Sequence, residues 1–169
     1  MFGDLEKSRT IAYSAAFIGL ITIGGWVSVP LGSIPFTLQT LFVLLSGTVM
    51  RRYAVIPVTA YILLGALGLP VFHNGTSGLG VILGPTGGYM IGFIFAALFT
   101  GLAYEHTTPV IRITGLVAGT LAIYICGVAW IIYSTGLGIP VAVAAGALPF
   151  IPGDIIKAAA AYLVSRRLS

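Results

Sequence analysis

Three long stretches of this 169-residue chain contain no Asp, Glu, Lys or Arg. Arg9 is followed by 41 such residues, Arg52 by 52 and Arg112 by 41. A helix that crosses a bilayer needs about 20 apolar residues, so each gap has room for two spans. Soluble domains devote about 25% of their residues to charge. Here the share is 7%, with 58% hydrophobic residues and a mean hydropathy of +1.08. Those values exclude a soluble globular domain, a disordered chain and a nucleic-acid module. The chain reads as an all-α, polytopic membrane protein forming a single domain over residues 1–169.

Glycine, proline and polar clusters divide the gaps into six transmembrane helices. Span 1 is expected over about 11–27, before a break at 28–35, and span 2 over about 36–50, stopping at Arg51 and Arg52. Span 3 covers about 54–69 and stops at Pro70. A long glycine-rich outer loop from Val71 to Gly84 then leads to span 4 at about 85–104, with Pro85 suited to the first helical position. Span 5 covers about 109–133 and span 6 runs from Pro152 to near Arg167, with a short interfacial helix at 141–148 between them.

Six spans place both termini on one side, together with Lys7, Arg9, Arg51, Arg52, Arg112, Arg166 and Arg167. The loops on the other side carry no Lys or Arg. By the positive-inside rule, both termini are then cytoplasmic in a multi-pass protein of the cell membrane. The basic balance, +4 at neutral pH, thus speaks of topology and lipid headgroups, with no nucleic acid as partner. Cys126 is the only cysteine, which excludes an intrachain disulfide and a thiolate zinc site. His73 and His106 fall on opposite sides, so they share no metal. The first apolar region is too long for a cleaved signal peptide, and Asp4 and Glu6 do not suit its basic start. Neither half repeats the other, which gives no support to an inverted-repeat carrier. No G-x-x-x-x-G-K-[ST] motif occurs either; uphill transport with ATP would draw its energy from another chain.

Four constellations could carry function. Asp154 and Lys157 share one face of a helix at i and i+3. As a structural pair they would be an Asp at the positive end of a helix dipole with its counter-ion. As a site they would be a polar floor opening outward, offering an anionic acceptor beside a cationic donor. The site reading is favoured, because a buried ion pair is a poor source of stability. The glycine-rich outer segment is either a lid over a ligand or a packed connection; Gly84-Pro-Thr-Gly-Gly is not a phosphate loop, for no lysine follows. Thr37 and Gln39, at the start of span 2, either line a pocket or bond to neighbouring helices. Ala12 and Ala16 are small residues four apart on span 1, which suits internal packing or the docking of another membrane subunit. No catalytic pair, H-E-x-x-H or G-x-S-x-G is present, so no enzyme is expected.

Together these residues resemble the BioY family, the biotin-specific substrate-binding (S) components of energy-coupling factor (ECF) transporters. The resemblance rests on Ile34-Pro-Phe-Thr-Leu-Gln-Thr40, Gly65-Ala-Leu-Gly-Leu-Pro-Val-Phe72, Gly84-Pro-Thr-Gly-Gly-Tyr-Met-Ile-Gly-Phe93 and Pro149-Phe-Ile-Pro-Gly-Asp-Ile-Ile-Lys157. It implies six membrane helices that bind biotin near the outer face and work with an energy-coupling transmembrane subunit and two ABC-type ATPases. No cofactor is implied beyond the ATP used by those partners. Asp154 and Lys157 match the family's polar ligands of biotin, Asp154 for a ureido N–H and Lys157 for the ureido carbonyl or the valerate carboxylate. Asn74 lies in the loop where the family has a ligand-contacting Asn. Tyr89, with Gly84, Thr86 and Gly88 before it, is implied to shape the pocket, while Ala12 and Ala16 match the family's docking motif. Residues 134–148 match nothing specific. The neighbouring possibilities are an S component for another vitamin and a stand-alone small-solute facilitator.

Overall fold

A computed structural model describes residues 2–31 and 34–168. Gly32 and Ser33, in the break expected after span 1, lie outside it. Eight α-helices follow in order: α1 Phe2–Trp26, α2 Gln39–Met50, α3 Val55–Ala66, α4 Leu79–Leu83, α5 Gly87–Ala103, α6 Pro109–Thr135, α7 Ile139–Gly146 and α8 Ile151–Leu168. Two short strands, β1 Ser28–Leu31 and β2 Ile34–Thr37, stand between α1 and α2. The architecture is all-α apart from this pair.

The strands correct the expected start of span 2. Phe36 and Thr37 are extended rather than helical, and α2 begins at Gln39. Two prolines explain how so short a ladder survives. Pro30 faces Pro35 in an antiparallel register that also pairs Ser28 with Thr37, so both missing N–H groups fall on one rung.

The run from Gln39 to Ala66 is 28 residues long and apolar enough for a single span by composition. A straight helix would hold Gln39 and Tyr61 about 33 Å apart. Instead the Gln39 Nε2 donates a hydrogen bond to the Tyr61 hydroxyl. The chain therefore reverses at the 3-10 turn Arg51–Ala54, where Arg51 takes a positive φ of 54°. That is where the paired arginines were expected to end span 2.

Helix α6, 27 residues, is long and apolar enough to cross a membrane. Its ends follow local rules: Pro109 occupies the first turn, and Gly136 closes the helix at φ 71° with its N–H on the Ile132 carbonyl. Helix α5 begins at Gly87, two residues after the expected Pro85. It packs closely along α6, because glycines let the backbones approach: a Cβ at Gly92 would lie 2.6 Å from the Ile123 Cα. Helices α7 and α8 are bent by 51° at the break between them, residues 147–150. The core joins Phe17 and Ile21 of α1, Val43 and Leu44 of α2, Tyr61 of α3 and Phe93 of α5. Large apolar side chains such as Ile125 and Ile155 face outward, as the surface of a membrane-embedded bundle requires.

Candidate solute-binding cavity

The first turn of α8 supplies the most polar group in the interior. Asp154 is 4% exposed and Lys157, one turn on, 5%. The ammonium donates to Asp154 Oδ1 at 2.7 Å. Tyr124, in the middle of α6, donates its hydroxyl to the other oxygen, Oδ2, at 2.5 Å. Both carboxylate oxygens are thus engaged by charge-assisted hydrogen bonds. The Phe36 ring of β2 covers the ammonium with its centroid 3.7 Å away, a cation–π contact that compensates for lost water. Phe36 in turn stacks on Phe150, with centroids 6.3 Å apart.

A cavity of about 50 Å³ lies against this network. Strand β2 forms one wall through Ile34, Pro35, Phe36 and Thr37, and the first turn of α2 adds Gln39 and Thr40. His73 comes from the 3-10 turn His73–Gly75, Thr86 and Tyr89 from the start of α5, and Ile123 and Tyr124 from α6. Asp154 and Lys157 close it. Most of these polar groups are already committed. Thr37 and Gln39 bond one another, Thr86 donates to the Val81 carbonyl at 3.3 Å, and Tyr89 donates to the Gly146 carbonyl at 2.6 Å. Burial lowers the pKa of His73, so its imidazole is neutral at pH 7, with one donor and one acceptor nitrogen.

Of the residues expected to touch a ligand, Asp154, Lys157, Gln39, Thr37, Thr86 and Tyr89 are brought together here. Asn74, Gly84 and Gly88 are not among the lining residues. Asn74 turns to β1, where its Oδ1 accepts from Ser28 Oγ at 2.5 Å. The Gly84 carbonyl accepts from the Trp130 indole at 2.9 Å. Gly88 has no side chain because the α6 backbone at Cys126 and the Trp130 side chain fill that space. Ala12 and Ala16 lie exposed on α1, away from the cavity. The residues that sequence reasoning missed are Tyr124, Phe36, Thr40 and His73. For Tyr124 a signal existed: a hydroxyl far from either end of an apolar helix needs a partner.

A helical membrane bundle with a small interior cavity, floored by one buried ion pair and walled by aromatic rings, is the build of a protein that holds a small polar solute. Comparison with known proteins narrows this. The BioY family model matches residues 3–169. A biotin transporter BioY of Thermotoga maritima is 41% identical over 162 residues, covering 95% of each chain. A probable biotin transporter BioY of Pyrococcus horikoshii is 38% identical over 163 residues, covering 96% of this chain and 97% of its own. The crystal structure of an S component for biotin from an ECF-type ABC transporter superposes with a TM-score of 0.87 at 29% identity, covering 96% of this chain and 92% of that one. The chain belongs to the BioY family. Its relatives are named as transporters, which places it among transport proteins and not enzymes.

Proposed function

We propose that this chain is the biotin-capturing S component of an ECF-type transporter, taking biotin at the outer face for delivery inward at the expense of ATP hydrolysed by partner subunits. The observation that carries this is the Asp154–Lys157 pair, buried and facing a cavity. Replacing such a pair by apolar residues is often neutral or stabilising, so its presence calls for a ligand. A cyclic urea presents two N–H donors and one carbonyl acceptor, the complement of a carboxylate beside an ammonium. Biotin is also what the names of the relatives and of the superposed structure specify.

The cavity is smaller than the roughly 300–1,000 Å³ usual for small-molecule sites. Admitting biotin therefore requires a wall to move, and β2 is the wall that belongs to no helix. In the membrane the chain has six spans, with α7 at the interface and both termini cytoplasmic. The supports are the clustering of loop cations on one side and the reversal at Arg51–Ala54. Ala12 and Ala16 dock an energy-coupling transmembrane subunit that carries two ABC-type ATPases. Their exposure on α1 supports this.

Calorimetry of biotin binding to the purified protein, with riboflavin and thiamine as competitors, tests the proposal. Biotin alone is expected to bind tightly. Absence of biotin binding overturns the function, and undiminished binding in both Asp154→Asn and Lys157→Ala overturns the site. Ala12→Trp is expected to spare biotin binding while abolishing co-purification of the coupling subunit; normal co-purification removes the docking assignment.

A further inference from the structure

Helix α6 meets its two neighbours in different ways. It lies close against α5, because glycines remove the side chains that would hold the helices apart: a Cβ at Gly119 would stand 2.8 Å from Thr100 Oγ1. Toward α8 the space is left open. There Val117, Leu121 and Tyr124 of α6 face Ile155 and Ala158 of α8 across a groove of about 230 Å³. The groove is deep because Ala158 offers only a methyl group at its floor, where a larger side chain would close it.

Depth, polarity and position say what fills it. Residues 117–124 straddle the midpoint of α6, the helix long and apolar enough to cross a membrane. The groove therefore lies at the level of lipid tails and not of headgroups. Its surface is almost wholly apolar. The Thr120 hydroxyl donates to the Leu116 carbonyl at 2.9 Å, and the Tyr124 hydroxyl to Asp154 Oδ2 at 2.5 Å. Water would find no set of polar partners there, whereas an apolar cavity of about 150 Å³ already takes up a hydrocarbon as large as benzene. Left empty, the groove would forfeit dispersion contacts along its walls. Its rim, with Val117 and Leu121 each 52% and Ile155 64% exposed, opens to the surroundings of the bundle. Helix α1, which carries Ala12 and Ala16, packs instead on α2 and α3, so the proposed docking face uses other helices and leaves the groove to lipid.

We propose that the groove between α6 and α8 is a lipid site that takes one hydrocarbon chain of a membrane phospholipid. Asp154 and Tyr124 line both this groove and the solute cavity, so the seated chain backs the buried ion pair on its membrane side. The site stands whether or not biotin is the solute. It selects for chain and not for headgroup, since the one charged residue in its lining, Asp154, is already bonded to Lys157 and Tyr124.

The full-length protein, crystallised with phosphatidylcholine brominated at mid-chain, provides the test. Anomalous density for bromine is expected between Leu121 and Ala158. Ala158→Phe fills the groove from its floor and should lose that peak while keeping bromine peaks elsewhere on the lipid-facing surface. Ala158→Leu, the second variant if the ring disturbs folding, should weaken it. Phosphatidylcholine spin-labelled at mid-chain, in vesicles that contain the protein, gives a measurement free of the lattice. Wild type should show a motionally restricted component that Ala158→Phe reduces. Ile125→Phe, at an exposed position outside the groove, should leave it unchanged, and phosphatidylglycerol with the same labelled chain should behave alike. No bromine in the wild-type groove, a peak or restricted component that survives Ala158→Phe, an equal loss in Ile125→Phe, a preference set by headgroup, or a side chain of a second copy seated in the groove would each overturn the proposal.

Discussion

Two ion pairs stand toward opposite ends of the bundle, and they differ in almost everything except their chemistry. Arg52, just beyond the end of α2, meets Glu105, just beyond the end of α5, through two guanidinium hydrogen bonds of 2.5 and 2.9 Å. Its side chains are 63% and 23% exposed. Lys157 and Asp154, next to the start of α2, make one bond of 2.7 Å with both side chains 6% exposed. By geometry the arginine pair is the better formed, since it is bidentate. By environment it matters less: water screens it, and exposed pairs contribute little to stability. The lysine pair has lost its water and relies on Tyr124 and Phe36 to complete its surroundings. Energetic weight follows burial and not the number of bonds. The exposed pair ties two loop ends together; the buried one is dispensable for folding only if both partners go.

That contrast can be broken most forcefully at Asp154. Asp154→Ala strands a buried ammonium and is expected to destabilise the protein by about 3–5 kcal/mol, read by thermal unfolding, with loss of biotin binding by calorimetry. Asp154→Leu combined with Lys157→Met should recover most of that stability and none of the binding. A double variant as unstable as the single would show that the pair is there for folding. Tyr124→Phe comes next. It removes only the hydroxyl that donates to Asp154 Oδ2, so affinity should fall by about 1.5–3 kcal/mol, the usual worth of a hydrogen bond to a charged group. The smallest effects belong to Arg52→Gln and Glu105→Gln, each expected to leave affinity and melting temperature within experimental error. Raising the salt concentration should likewise leave biotin affinity unchanged; a steep salt dependence would place the important charges on the surface.

Much of this contrast was legible in the sequence, because scarce charge makes each charged residue informative. The i, i+3 spacing of Asp154 and Lys157 foretold a shared helix face, and the observed bond lies there. The short helix before span 6 also emerged, with α7 at Ile139–Gly146 close to the expected 141–148 and α8 starting at Ile151, one residue before the expected Pro152. The strands did not. Prolines at 30 and 35 read as a break, and only their facing register reveals a ladder. Tyr124 was hidden for a different reason: it lies in an uncharged run and meets Asp154 30 positions later in the chain, a pairing that only the crossing of α6 with α8 creates. Asn74 is not among the residues that line the cavity, and its Oδ1 accepts from Ser28. Gly84 and Gly88 lie close to Trp130, and nothing in a glycine's identity separates that role from lining a pocket.

Phe36 links the two sides of the site: it stands on a strand, yet its ring rests on a cation of α8. Its consequence is one of timing. If a solute must displace that ring to reach Lys157, its arrival waits on movement of the strand that carries Phe36. Association should then be slower than collision allows, and the observed rate should level off as solute is added instead of rising in proportion. On that account the position of one aromatic side chain sets the pace of entry, and a rate that rises in proportion to solute concentration without levelling off would overturn it.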